Sequence, residues 1–186
     1  MSGTLNNQSL KTGRSFDLGK MNLKQLWVAY LTYPTILLYF ALVVASIVAA
    51  AHFFAGWGAT LVSIVAVILV YPLAWYLLHR YVLHGRLLYK MKWTASLWKR
   101  IHFDHHQDPH LLDVLFGAPV TTLPTIAIIT GPIGYLIGGW GAAATAFGTG
   151  VAITCTYEFF HCLQHLNYKP NAAWTQRMQA RHVVHP

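Results

Sequence analysis

Residues 142–165 read AAATAFGTGVAITCTYEFFHCLQH. They hold no Lys or Arg, one acid in Glu158, and two histidines, His161 and His165, at the far end. A membrane-spanning helix needs about 20 apolar residues, and this stretch supplies them. Working outward, no Lys or Arg occurs in residues 101–168, nor in residues 25–79. The 13 basic residues fall in three blocks: Lys11, Arg14, Lys20 and Lys24; then Arg80, Arg86, Lys90, Lys92, Lys99 and Arg100; then Lys169, Arg177 and Arg181. Four of the acids, Asp17, Asp104, Asp108 and Asp113, sit at or near those blocks, and only Glu158 lies deep in an apolar run. Of the 186 residues, 55% are hydrophobic and 10% charged, against about 25% charged in an average soluble domain. That composition excludes a disordered chain and argues against a soluble globular domain.

Each charge-free gap is long enough for two crossings. The first reads as a helix near 33–54, the turn Gly56-Trp57-Gly58, and a helix near 61–78. The second reads as a helix near 120–137, the turn Gly138-Gly139-Trp140-Gly141, and a helix near 142–160. The expected fold is therefore all-α and integral to the membrane, with four transmembrane helices in two hairpins. A polar, basic segment at 1–25 precedes a membrane domain at 26–186. Trp suits turns at headgroup level, Pro34 and Pro132 start or kink helices, and Gly134 with Gly138 favours close helix packing. All three basic blocks fall on one side of this layout, so the positive-inside rule makes that side cytoplasmic. Both termini and the segments 79–118 and 161–186 are then cytosolic. The first 25 residues lack a short apolar core beside a cleavage site and do not read as a signal peptide. The net charge of +8 is what such a topology produces, and no nucleic-acid partner is expected. Cys155 and Cys162 do not form a disulfide framework and read as packing residues.

Nine of the 11 histidines fall in four clusters on the expected cytosolic side: His79 and His84; His102, His105 and His106; His161 and His165; His182 and His185. Residues three or four apart share a helix face, so His161 with His165, His102 with His105 or His106, and His182 with His185 could each hold a metal together. His79 and His84 are five apart, which a regular helix turns onto different faces; they need a helix end, a local irregularity or two different metals. Imidazole is the commonest side-chain metal ligand, and it suits Fe, Zn, Cu and Ni alike. A lone histidine is more often a satisfied polar residue, and His52 is read that way. The clusters also repeat: His79 to His161 is 82 residues, His84 to His165 is 81, His102 to His182 and His105 to His185 are each 80, and Trp57 to Trp140 is 83. Each half thus reads as a hairpin, a histidine pair and a second histidine cluster, either by duplication or by shared task.

Four such clusters, in this order behind membrane hairpins, resemble the fatty acid hydroxylase/sterol desaturase superfamily, whose pattern is H-x(3-4)-H, H-x(2)-H-H, H-x(3)-H and H-x(2)-H-H. The resemblance runs from about His79 to the chain end and implies a four-helix transmembrane bundle with a cytosolic helical cap. It implies a dimetal centre held by His79, His84, His102, His105, His106, His161, His165, His182 and His185. It also implies two iron ions, with zinc the alternative, and dioxygen as co-substrate in hydroxylating or desaturating a lipid such as a fatty acid or sterol. The fourth cluster departs from the pattern: Pro186 stands where a further histidine is expected, so the chain is read as truncated or divergent there. Carotenoid hydroxylases carry clusters similar to His79-Arg80-Tyr81-Val82-Leu83-His84-Gly85, but the three residues between His161 and His165 fit the fatty acid hydroxylase pattern better.

Hydroxylating an unactivated C–H bond needs a redox metal rather than side-chain acid–base chemistry. Carboxylates beside such a metal orient its imidazoles; Glu158, Asp104 and Asp108 are the candidates, with Asp113 a cap or loop residue. Glu158 lies three residues before His161 on the same expected face. No haem, dinucleotide or iron–sulfur motif is present, so electrons are expected from a separate donor, a cytochrome b5-, ferredoxin- or reductase-like protein. Lys90, Lys92, Lys99 and Arg100 could meet it, although topology and lipid headgroups explain them more simply. A zinc-dependent membrane hydrolase, a metal transporter and an inactive homologue lacking the last histidine are the competing readings. The crowding of histidines at one surface counts against the transporter.

Overall fold

A computed structural model describes residues 17–83 and 118–166, with Lys90, Ala95, Phe116 and Gln176 as single positions. Every regular element among the described residues is helical. After a short turn at Leu18–Lys20 come α1 at Leu23–Thr32, α2 at Pro34–His52 and α3 at Trp57–Leu77, which runs on into a π-helical turn at Leu78–Leu83. The last element, α4, covers Pro119–His165.

Local chemistry explains the boundaries. Asn22 and Gln25 exchange backbone-to-side-chain hydrogen bonds at 2.9 Å, a capping box that starts α1. Tyr33 is extended at φ −74, ψ 129, as the residue before a proline must be, and Pro34 opens α2. α3 begins at Trp57 directly after Gly56, whose φ of 92 ends α2's turn, so this helix starts four residues earlier than the sequence suggested. The last helix likewise continues past residue 160 to His165.

α4 is 47 residues long, roughly 70 Å if straight, more than twice the apolar thickness of a bilayer. It is not straight. Gly138 (φ −165, ψ 32) and Gly139 (φ 67, ψ −152) leave helical geometry, and the second of these is a conformation that glycine adopts without strain. A β-carbon on Gly134 would run into the Ala142 carbonyl; in a straight helix those residues would be about 12 Å apart. One on Gly150 would meet Ile126 Cγ2 at 2.8 Å. The limbs 119–137 (α4a) and 140–165 (α4b) therefore fold back on each other. The close Gly134 step packs within the chain. Among the described residues, three helices are long and apolar enough to cross a membrane: Pro34–His52, Trp57–Val82 and Pro119–His165, the last being this folded pair.

α4b is the axis of the bundle. Its buried positions include Ala142, Ala146, Gly148, Gly150, Val151, Thr154, Cys155, Glu158, His161 and Cys162. Small residues let neighbours approach closely: a β-carbon on Gly148 would lie 2.7 Å from Ser46 Cβ of α2. The outer faces of α2 and α3 are bare apolar surface, with Val44, Ile47, Val48, Leu61, Ile68 and Leu69 all exposed. A helix apolar all round needs apolar surroundings, and these helices are long and apolar enough to find them in a bilayer.

The hairpin makes a prediction. Gly134→Val places its side chain against backbone that cannot move aside, whereas nothing lies near a β-carbon at Gly131. Overpacking of this kind costs about 1–3 kcal/mol or more. Thermal unfolding in detergent should show Gly134→Val markedly destabilised and Gly131→Val close to wild type; equal midpoints would contradict the folded-back limbs.

Candidate metal centre

The two glycine turns meet at one end of the bundle: a β-carbon on Gly138 would lie 2.8 Å from Ala59 and 3.1 Å from Ala55. From there α3 and α4b run in the same direction. The Tyr71 hydroxyl and the Thr154 hydroxyl, both buried, hydrogen-bond at 2.9 Å. These residues are 83 apart, the spacing that also separates Trp57 from Trp140 and the positive-φ glycines Gly56 and Gly139. The sequence register is thus a spatial one. His79 lies eight residues beyond Tyr71 and His161 seven beyond Thr154. At about 1.5 Å per residue, both histidines stand roughly 10–12 Å further along, level with each other.

On α4b the spacing of four does what helix geometry demands. The His161 and His165 rings are 5.2 Å apart, centroid to centroid. His161 is 8% exposed and Glu158, one turn earlier, 5%; the Tyr157 ring lies 5.5 Å from that of His161. Tyr30 of α1, Tyr39 of α2 and Tyr71 of α3 are all buried in the same core as Cys155 and Cys162 of α4b, so three helices each bury a phenol against this bundle axis. Two imidazoles on one face beside a buried carboxylate are a donor set that suits a divalent transition metal.

His79 sits in the π-helical turn Leu78–Leu83. In such a turn the backbone bond runs from residue i to i+5, so residues five apart come round to the same side, and π turns are frequent at functional sites. His84, five residues on, lies beyond this turn and outside the described residues. In the same turn the exposed Arg80 guanidinium donates to the Tyr76 hydroxyl and lies over the Tyr76 and Tyr81 rings, an aromatic setting typical of a membrane boundary.

His84, His102, His105, His106, His182, His185, Asp104 and Asp108 lie outside the described residues. Among the described residues no three histidine, cysteine or carboxylate side chains make a complete metal-binding group; these residues bring His79, His161, His165 and Glu158 to one end. His52, by contrast, ends α2 at the glycine-turn end, edge-on to Phe53 at 4.6 Å.

One part of the site gave little signal in the sequence. α1 lies along α4b: the Tyr30 hydroxyl donates to the Cys155 carbonyl at 2.6 Å, and Trp27 packs on Phe159 at 4.1 Å. Burial, with neighbouring charges adding to it, holds the Tyr30 phenol far above its ordinary range, so it remains a donor at any working pH. The pair Asn22 and Gln25 was the only signal for this helix.

Residues 64–186 match the pattern of the fatty acid hydroxylase family. The match takes in most of α3, all of α4 and all nine clustered histidines. The chain belongs to the fatty acid hydroxylase family. No curated protein and no solved structure matches it. Fatty acid hydroxylases are oxidoreductases with a lipid hydroxylase- or desaturase-like function, and the family is generally one of non-haem iron enzymes. Together with three apolar helices long enough to cross a bilayer, membership makes this a membrane protein. α1 and α2 precede the matched region.

Proposed function

We propose that the chain is a di-iron membrane oxygenase that hydroxylates or desaturates an acyl or sterol-like lipid with dioxygen and electrons from a separate redox protein. The observation that carries this reading is the run Glu158, His161 and His165 on α4b, the first two buried, level with His79 in the π-helical turn that follows α3. In this reading α4a and α4b are two crossings, making four with α2 and α3, and the histidine end faces the cytosol, where the basic blocks lie. His79, His161 and His165 hold the metals with His84, His102, His105, His106, His182 and His185. When bound, the irons supply reduction of dioxygen and oxidation of the C–H bond.

The chain's own residues place that chemistry. Burial of His161 and Glu158 keeps water from the inner side of the site. Glu158, one turn before His161, sets a buried carboxylate near the imidazoles, where with the metals bound it would act on their orientation and basicity. The bare apolar faces of α2 and α3 keep the site in contact with lipid, so an acyl chain need not cross water to reach it. Lys90, Lys92, Lys99 and Arg100 supply positive charge for an acidic electron donor.

The test is metal content of the detergent-purified protein after anaerobic reconstitution, followed by incubation with membrane lipids, isotopic dioxygen and a reductase. About two irons per chain and labelled oxygen in a lipid alcohol, or a new double bond, support the reading. Zinc retained against excess iron, with no lipid oxidised, would replace it with the zinc-dependent hydrolase reading.

A further inference from the structure

We infer that α1, which lies before the region matched by the family, is a clamp that positions the metal-holding end of α4b, with Tyr30 as its positioning residue. The inference rests on the oxygenase reading for its purpose, though not for its geometry.

Three contacts carry it. The Tyr30 hydroxyl donates to the Cys155 carbonyl at 2.6 Å, across 125 residues of chain. In an α-helix that carbonyl already serves the amide four residues on, that of Phe159, so the phenol grips the helix at the turn that carries Glu158. Phe159 itself is held between two rings of α1, Trp27 at 4.1 Å and Tyr30 edge-on at 5.2 Å. The order of the contacts, Tyr30 to Cys155 and Trp27 to Phe159, makes α1 antiparallel to α4b. Its first turn therefore comes level with residues 162–163, alongside His161. Leu18 and Leu26, fully buried, join the same apolar core as Cys162 and Leu166.

The purpose follows from where α4b ends. The helix stops at His165, because Leu166 turns to extended backbone at φ −71, ψ 136, and helix termini fray. A fraying turn would let His161 and His165 wander, and a metal site loosened by about 1 Å loses much of its function. α2 and α3 brace α4b lower down, at Ser46 with Gly148 and at Tyr71 with Thr154. α1 braces it above them, at Cys155 and Phe159, and reaches the level of the histidines.

The experiment uses the full-length protein in detergent. Hydrogen exchange of amides 158–163 is measured by mass spectrometry, and ferrous iron affinity is measured anaerobically, for wild type, Tyr30→Phe, Trp27→Ala, Trp27→Phe and Tyr135→Phe. Tyr30→Phe should raise exchange in that segment and weaken iron binding about fivefold, the equivalent of one buried hydrogen bond, with exchange in the rest of α4 unchanged. Trp27→Ala should do the same and Trp27→Phe should restore it. Tyr135→Phe, at the glycine-turn end, should match wild type in both. Wild-type values for Tyr30→Phe in either arm overturn the clamp, as does loosening spread evenly over the bundle. A wild-type chain that binds no iron sinks the oxygenase reading instead, and the exchange arm alone then decides the clamp.

Discussion

Alanine at both His161 and His165 is expected to strip the purified protein of iron. The two rings stand edge to face at 5.2 Å on one side of α4b, close enough to share a metal. Each coordinating imidazole is a strong, directional donor, and metal affinity in such sites is built from the full ligand count. Removing two neighbours from one helix leaves the remaining histidines with an incomplete shell. Iron per chain should fall to near background in the double variant and partially in each single one. His52→Ala, at the glycine-turn end of α2, should keep wild-type iron and serve as the reference for folding. Full iron in the double variant, measured by elemental analysis, would remove α4b from the metal centre and leave the family's chemistry to be carried elsewhere in the chain.

Glu158 offers a prediction whose sign is informative. A carboxylate only 5% exposed inside an apolar helix is costly to bury. If it served only as a polar passenger, Glu158→Leu would make the metal-free bundle more stable and leave iron binding alone. If it orients His161, the same substitution weakens iron binding by about 10–100-fold whatever it does to stability. We expect the second outcome, with Glu158→Gln intermediate, because an amide keeps an oxygen acceptor at that place without its charge. Paired measurements of thermal midpoint without metal and iron affinity separate the two cases. Unchanged affinity in Glu158→Leu would return this residue to the role of passenger.

The elements that sequence reading reached most directly are those governed by period and charge. Two basic-free gaps marked the apolar helices, because no charge can be left in a bilayer without a partner. A spacing of four put His161 and His165 on one face, because four residues nearly complete a helical turn. The repeat of Gly-Trp-Gly 83 residues apart foretold two alike turns, and both do open with a glycine at positive φ. Boundaries were less legible. Trp57 was assigned to a turn, yet it begins a helix, since the chain has already reversed over Phe53–Gly56. α1 was hidden because Leu23–Thr32 straddles the join between a polar stretch and an apolar one, and its helix signal is two polar side chains bonding to backbone. The Tyr71–Thr154 and Tyr30–Cys155 bonds had no signature at all: a phenol reads the same whether it meets lipid, water or another helix.

The two glycine turns carry a consequence for how the protein enters its membrane. Neither Phe53–Gly58 nor Gly138–Gly141 contains a charged side chain, and neither limb leading to them contains a Lys or Arg. A hairpin that is pushed through a bilayer must drag its tip across, and each charge on the tip would add about 2.5–3.5 kcal/mol at the centre. Here the tips are glycine, alanine and aromatic rings. Each hairpin can enter the bilayer as a closed unit, while His79, His161 and His165, at the opposite end of the helices from the turns, need not cross with the tips.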